Sequence, residues 1–380
     1  MTLDAFEREA ARCVFVGIQG LTPKKEELQL VARGVGGVIL FSRNVRDPSQ
    51  VAQLAKELKQ ASKEPLLICI DQEGGRVQRL RPPFWTAWPS MRRLGDIDDQ
   101  GGALGLTGPG VAEKVGKMIA QELLACGIDF DFAPVMDVDT NPKNPVIADR
   151  SFSRDPRRVA RLGVALAHGL EKAGVASCAK HFPGHGDTST DSHLMLPRLA
   201  HDKSRLWEVE LVPFVAAARA QLASVMTAHV RFEAFDRLPA TLSPISLGIL
   251  RKDVEFQGAC ISDDLEMKAI SDIWGVPDAA ELAIAAGCDA VLVCHTLQHQ
   301  HDSIDAIARG ARAGPLSRER LAQASARVGQ LQKFARPADS INPDAAASAC
   351  ATEEHRRFAA DLEDPAVTAA RRHDPTERRA

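Results

Sequence analysis

VASCAKHFPGHGDTSTDSH, residues 175–193, is the stretch from which the rest of the chain is read. Its opening VASCAK is a short apolar run of the kind a buried strand presents. From Lys180 onward it turns polar and glycine-rich, with three histidines, a lysine and two aspartates. Pro183, Gly184 and Gly186 cannot continue a regular element, so the chain leaves the strand as a loop. Titratable groups on a loop at a strand end are a common way to build a catalytic site. Asp191 and His193 stand two residues apart, which in an extended segment puts both side chains on one side. A carboxylate beside an imidazole fixes its tautomer and raises its pKa, giving a proton donor near neutral pH.

The same strand-then-loop rhythm recurs along the chain. Apolar runs occur at RCVFVGI (12–18), GGVILF (36–41), LLICI (66–70), FDFAPVMDV (130–138), VASCAK (175–180), SVMTAHV (224–230), GACIS (258–262) and AVLVC (290–294). Helical periodicity separates most of them, as at Val51, Leu54, Ala55 and Leu58. Continuous rather than alternating apolar runs indicate strands covered on both faces, hence a parallel sheet. Eight such units predict a single-domain (β/α)8 TIM barrel over residues 1–335. A doubly wound open sheet is the alternative, but the first run is followed by GIQGLTP and not by GxGxxG. Residues 336–380 are rich in Ala, Pro and charge and read as a partly disordered, non-core extension with one short helix between 353 and 362.

Composition narrows the function. A net charge of −3 and a pI near 6.4 give no support for nucleic-acid binding. The chain has no tyrosine and few aromatics, which argues against stacking platforms for single strands. No apolar run approaches bilayer-spanning length, and the N-terminus lacks the apolar core of a signal peptide, so no membrane partner is expected. Of eight cysteines, Cys13, Cys69, Cys178, Cys260 and Cys294 sit inside apolar runs, and no CxxC occurs. They read as reduced core thiols of a cytoplasmic protein.

Polar residues gather where the strands end: Asp71 with Arg76 and Arg79, Asp137 with Asp149 and Arg150, Lys180 with His181, His229, and Asp263 with Asp264. In a (β/α)8 barrel these ends meet around one mouth. Each alone has a plainer reading: Arg76 and Arg79 as a solvated face, His229 as a satisfied core histidine. A zinc site at His181, His185 and His193 is the rival for the loop, but their spacing fits no HExxH or CxxC pattern. GGALGLTGPG (101–110) lacks the Gly-Lys-Ser/Thr ending of a phosphate loop. Charged donors and acceptors hold sugar hydroxyls well. Glycoside hydrolysis needs a carboxylate on one face of the ring and an acid beside the leaving oxygen. A strand-end aspartate can be the first and the Asp191–His193 pair the second.

KHFPGHGDTSTDSH (180–193) followed by ISDDLEM (261–267) resembles the glycoside hydrolase family 3 β-N-acetylhexosaminidases of bacterial peptidoglycan recycling. IDQEGGRVQRLR (70–81), FAPVMDVDTNPKNPVIADRSF (132–152) and MTAHV (226–230) match that family in the same order. The resemblance implies no metal or other cofactor, and a retaining mechanism through a covalent glycosyl-enzyme. It implies Asp263 as nucleophile, Asp264 as a structural neighbour, His193 as general acid and then base, and Asp191 as its partner. Asp71, Arg79, Arg150, Lys180 and His181 would bind the non-reducing N-acetylglucosamine, and 184–193 would close over it. The implied substrate is a muropeptide, with no obligate protein partner. Histidine as acid suits a leaving group that carries carboxylates, because a neutral imidazole does not repel an anion. Phosphorolysis is the rival reaction on that reasoning. A β-glucosidase of the same superfamily would need a second domain for its acid, and a mere sugar-binding scaffold would not need Asp263.

Overall fold

Successive residues of each strand face two different cores. Val14 and Val16 belong to one apolar cluster and Phe15 to another; Val38 and Leu40 to the first and Ile39 to the second; Ile68 and Ile70 to the first and Leu67 and Cys69 to the second. Residues two apart share a face of a strand, so one cluster is the barrel interior and the other lies between the strands and the surrounding helices. That double burial is why these runs show no polar alternation.

The computed structural model describes residues 4–189, 195–314 and 316–364. Among them, eight parallel strands form one sheet: β1 Val14–Gly17, β2 Gly37–Leu40, β3 Leu67–Ile70, β4 Phe130–Asp131, β5 Cys178–Phe182, β6 Ser224–Thr227, β7 Ala259–Asp264 and β8 Ala290–Val293. Their order is β4-β3-β2-β1-β8-β7-β6-β5. Two single bridges, Phe130↔Ala176 and Val135↔Lys180, join the outer strands and complete the ring. The fold is the (β/α)8 barrel expected. Only 130–131 of the expected fourth strand pairs as a ladder; Pro134 has no N–H to donate. The last barrel helix, Arg318–Leu331, sets Val328 and Leu331 against the interior cluster.

The inward series continues past the apolar residues. After Leu67 and Cys69 the next inward position is Asp71; after Cys178 it is Lys180; after Ala259 and Ile261 it is Asp263. Charge therefore collects at the strands' C-terminal mouth, on the inside, because the two-residue period carries it there.

Residues 336–364 are the described part of the segment expected as a C-terminal extension. They form the helices Pro343–Ala349 and Glu353–Glu363, the second falling where a short helix was foreseen. Ile341, Ala346, Cys350, Phe358 and Leu362 are buried in the main core cluster. The second helix buries His355, Phe358, Ala359 and Leu362 at helical spacing, whereas Ile341, Ala346 and Cys350 before it follow no single period. Residues 365–380 lie outside the described residues.

Candidate active site

The mouth of the barrel encloses a cavity of about 550 Å³. Its floor is apolar, from Ile39, Phe132, Met226 and Leu292, and its walls carry the charges. One wall is an ion-pair network. Lys180 Nζ donates to Asp71 Oδ1 at 2.8 Å and reaches Glu73 Oε1 at 2.7 Å. Arg150 donates to both oxygens of Glu73, from Nε and Nη2, at 2.8 Å each. Arg79 Nη2 donates to Asp71 Oδ2 at 3.2 Å. Burial opposes the charges of Asp71, Glu73, Lys180 and Arg150, but the partners prevail. Asp71 and Glu73 are held below the usual carboxylate range by Lys180 with Arg79 and Arg150 respectively. Lys180 is pushed above its ordinary value by the two acids, although burial alone would lower it. Asp71, Glu73, Arg150 and Lys180 are thereby held ionised, and side chains so tied are preorganised to meet hydroxyl groups.

The second wall carries His181 and His185. Asp137 Oδ2 lies 2.7 Å from His181 Nδ1, and its Oδ1 accepts the amides of His181 at 3.2 Å and His185 at 2.6 Å. Asp137 is completely buried; despite that burial, His181 and the His185 amide keep it ionised. With Nδ1 committed to a carboxylate, Nε2 is the nitrogen that His181 offers the cavity. His185 is buried beside His181, and desolvation drops its pKa to about 4, so it is neutral at ordinary pH. Its Nδ1 lies 2.8 Å from Thr188 Oγ1.

Asp263 ends β7 and opens onto the cavity. Its Oδ1 accepts the Asp264 amide at 2.8 Å. Burial would raise this carboxyl, yet His229, His181, the Asp264 amide and Lys180 together keep it below the usual range. It is a carboxylate at neutral pH, oriented by its own backbone. Asp264, which also lines the cavity, pairs with His295 at 3.1 Å, while its carbonyl accepts from His229 Nε2 at 3.0 Å. His229 is otherwise satisfied by Thr241 Oγ1 at 2.7 Å, so the plain reading of a bonded core histidine describes it.

Asp71, Arg79, Arg150, Lys180, His181 and Asp263, drawn from distant parts of the sequence, thus line one cavity. Arg76 also reaches the rim, where it pairs with Asp149 in solvent. Asp191 and His193 lie outside the described residues, and so does the three-histidine metal reading, which requires His193. The described part of that loop is pinned. Asn144 Nδ2 donates to the carbonyls of His185 at 2.8 Å and Gly186 at 3.0 Å. Thr140 Oγ1 donates to Asp187 at 2.9 Å, and His201 bonds its other oxygen. Gly186 is required here: a Cβ would sit 1.8 Å from the Val138 carbonyl oxygen.

Two residues of the site had no role in the sequence reading. Glu73 stands in DQEGG like any turn acid, and only the hairpin Gln72–Gly74 with Val77–Gln78 turns it toward Lys180 and Arg150. Asp137 was visible as a strand-end acid, but not as the partner of His181.

Residues 11–331 match the glycosyl hydrolase family 3 N terminal domain. A beta-hexosaminidase of Neisseria meningitidis serogroup C is 45% identical over 273 residues, which span 72% of this chain and 74% of that protein. The structure of NagZ from Neisseria gonorrhoeae in complex with N-trifluoroacetyl-D-glucosamine superposes with a TM-score of 0.76 at 37% identity, covering 94% of this chain and 98% of the other. A glycoside hydrolase family 3 beta-N-acetylglucosaminidase from Paenibacillus sp. str. FPU-7 superposes with a TM-score of 0.85 at 36% identity, covering 95% of this chain and 68% of that one.

Proposed function

The chain belongs to glycosyl hydrolase family 3, and from that premise we propose that it is a β-N-acetylhexosaminidase acting on peptidoglycan fragments. It removes terminal, non-reducing β-1,4-linked N-acetylglucosamine from N-acetylglucosaminyl-1,6-anhydro-N-acetylmuramic acid, with or without its peptide, in cell-wall recycling. The observation that carries this reading is the ionised Asp263 carboxylate facing the same cavity as the Asp71–Lys180–Glu73–Arg150 network. A nucleophile needs to be charged, fixed and next to a group that holds the ring, and these residues supply all three conditions.

In this mechanism Asp71, Arg79, Arg150, Lys180 and His181 hold the hydroxyls of the terminal sugar. An oxygen of Asp263 attacks the anomeric carbon, and the bond from that carbon to the aglycone oxygen breaks. His193, backed by Asp191, gives its proton to the departing oxygen. Neutral His193 then takes a proton from water, the water oxygen bonds to the anomeric carbon, and Asp263 leaves. Two inversions return the β configuration. Asp263 serves as nucleophile because, among the described residues, it is the cavity-lining acid with no ion-pair partner. Asp71 and Glu73 are bridged by Lys180, Arg79 and Arg150.

Incubation with the disaccharide tests the reading. N-acetylglucosamine should appear first as its β anomer. Sugar 1-phosphate released in phosphate buffer faster than free sugar would make the enzyme a phosphorylase. His193→Ala should lower kcat/KM on the natural disaccharide on the order of 10²-fold or more, and far less on a nitrophenyl glycoside, whose leaving group hardly needs a proton. Equal losses on both substrates would remove His193 from the acid role.

We place the protein in the cytoplasm. All eight cysteines are free and buried, as suits a reducing compartment. Among the described residues no helix is long and apolar enough to cross a membrane.

A further inference from the structure

Several buried acids have no part in the mechanism, and one of them joins separate segments of the chain. Glu122, near the end of the helix Gly108–Ala125, is 1% exposed and lies outside the catalytic cavity. Its Oε1 accepts three hydrogen bonds: from Thr86 Oγ1 at 2.6 Å, from the Ala351 amide at 2.7 Å, and from His355 Nδ1 at 3.1 Å. Its Oε2 accepts the Thr86 amide at 3.3 Å. One carboxylate thus joins three segments: the barrel helix, the C-terminal segment 336–364 and the excursion 72–90 that follows β3. Other contacts follow the same line. The rings of Trp88 and His355 lie 5.7 Å apart, and Arg93 Nε donates to the Leu362 carbonyl at 2.7 Å.

From Thr86 the bonds run on toward the sugar-binding wall. The Thr86 carbonyl accepts Gln78 Nε2 at 2.6 Å, and Gln78 Oε1 accepts the Trp88 amide at 3.2 Å. Gln78 pairs across the hairpin with Gln72, whose Oε1 accepts the amides of Arg79 at 2.9 Å and Leu80 at 3.0 Å. The hairpin also carries Glu73, which holds Lys180 and Arg150, and Arg79, which holds Asp71. The excursion has few regular elements of its own. Its shape depends on these buried side-chain bonds, and a supporting shell of this kind sets how closely binding groups keep their geometry.

We propose that Glu122 is a positioning residue through which the C-terminal segment holds the 72–90 excursion, and with it Glu73 and Arg79, in the sugar-binding geometry. The kinetic part of this claim rests on the function proposed above; the structural part does not. Glu122→Ala should raise KM for an aryl β-N-acetylglucosaminide about tenfold, since small displacements of binding groups are costly, and change kcat less than threefold by the same reasoning. Glu122→Gln keeps an oxygen for the Thr86, Ala351 and His355 donors and should restore KM to near the wild-type value. Thr86→Val keeps the shape, removes one donor, touches no C-terminal residue, and should also raise KM; it serves if Glu122→Ala does not fold. Hydrogen exchange supplies a readout independent of turnover: the amides of Gly75, Arg79 and Leu80 should exchange faster in either variant. Unchanged KM and unchanged exchange in 72–81, with only a lower melting temperature, would overturn the proposal. Wild-type enzyme inert on every N-acetylglucosaminide would overturn the function instead, and the exchange result would still decide the role of Glu122.

Discussion

Asp263→Ala is expected to abolish turnover of an aryl β-N-acetylglucosaminide, with a fall in kcat on the order of 10⁴-fold or more, as removal of a covalent nucleophile produces. The fold should survive. Asp263 faces the cavity rather than a core, and its carboxylate bonds only the neighbouring Asp264 amide among the described residues. Removing it leaves no buried cation stranded, because Lys180 keeps both Asp71 and Glu73. Loss of activity at wild-type stability is therefore the expected pair of results. An activated leaving group should not rescue this variant, because the missing bond is the one to the sugar. Retained activity would take Asp263 out of the mechanism and leave, among the described residues, no other cavity-lining carboxylate without an ion-pair partner to replace it.

Lys180→Met is expected to damage stability and binding together. The ammonium is 2% exposed and sits between two carboxylates, each less than 3 Å away. Methionine fills similar space but leaves Asp71 with Arg79 and Glu73 with Arg150, two acids now facing each other without their shared cation. Breaking a buried ion pair by deleting one partner costs about 3 kcal/mol or more. The urea midpoint should fall accordingly. Binding should suffer as well, since a fixed charged donor is lost from the sugar wall; a decrease in kcat/KM on the order of 10²-fold fits loss of a charge-assisted hydrogen bond with its neighbours disordered. Wild-type stability with unchanged KM would mean that Lys180 neither organises the wall nor meets the sugar.

The barrel was legible because its strands are short, apolar and doubly covered. LLICI and AVLVC could not be amphipathic, and that alone pointed to a parallel sheet. The meeting of Asp71, Lys180 and Asp263 around one cavity followed from the fold and the two-residue period. Partner choice was not legible. That Lys180 bridges Asp71 and Glu73, or that Asp137 backs His181, depends on loops whose course no local pattern dictates. The packing of residues 336–364 was not legible for a related reason. Phe358 and Leu362 share one helix face, but Ile341, Ala346 and Cys350 before them are irregularly spaced and are organised by the groove they fill rather than by a period of their own. Glu122 gave no signal either: in MIAQELLA it reads as a helix-surface acid, and only Thr86, Ala351 and His355 make it an interior one.

The most direct test of the nucleophile is to trap it. A 5-fluoro N-acetylglucosaminyl fluoride slows both chemical steps through its ring fluorine but keeps a leaving group good enough for the first, so the glycosyl-enzyme should accumulate. Digestion and mass spectrometry should then find one added N-acetylhexosaminyl group, on the peptide that contains Asp263. The sugar on any other residue, or an enzyme that consumes the reagent without ever carrying it, would contradict the account.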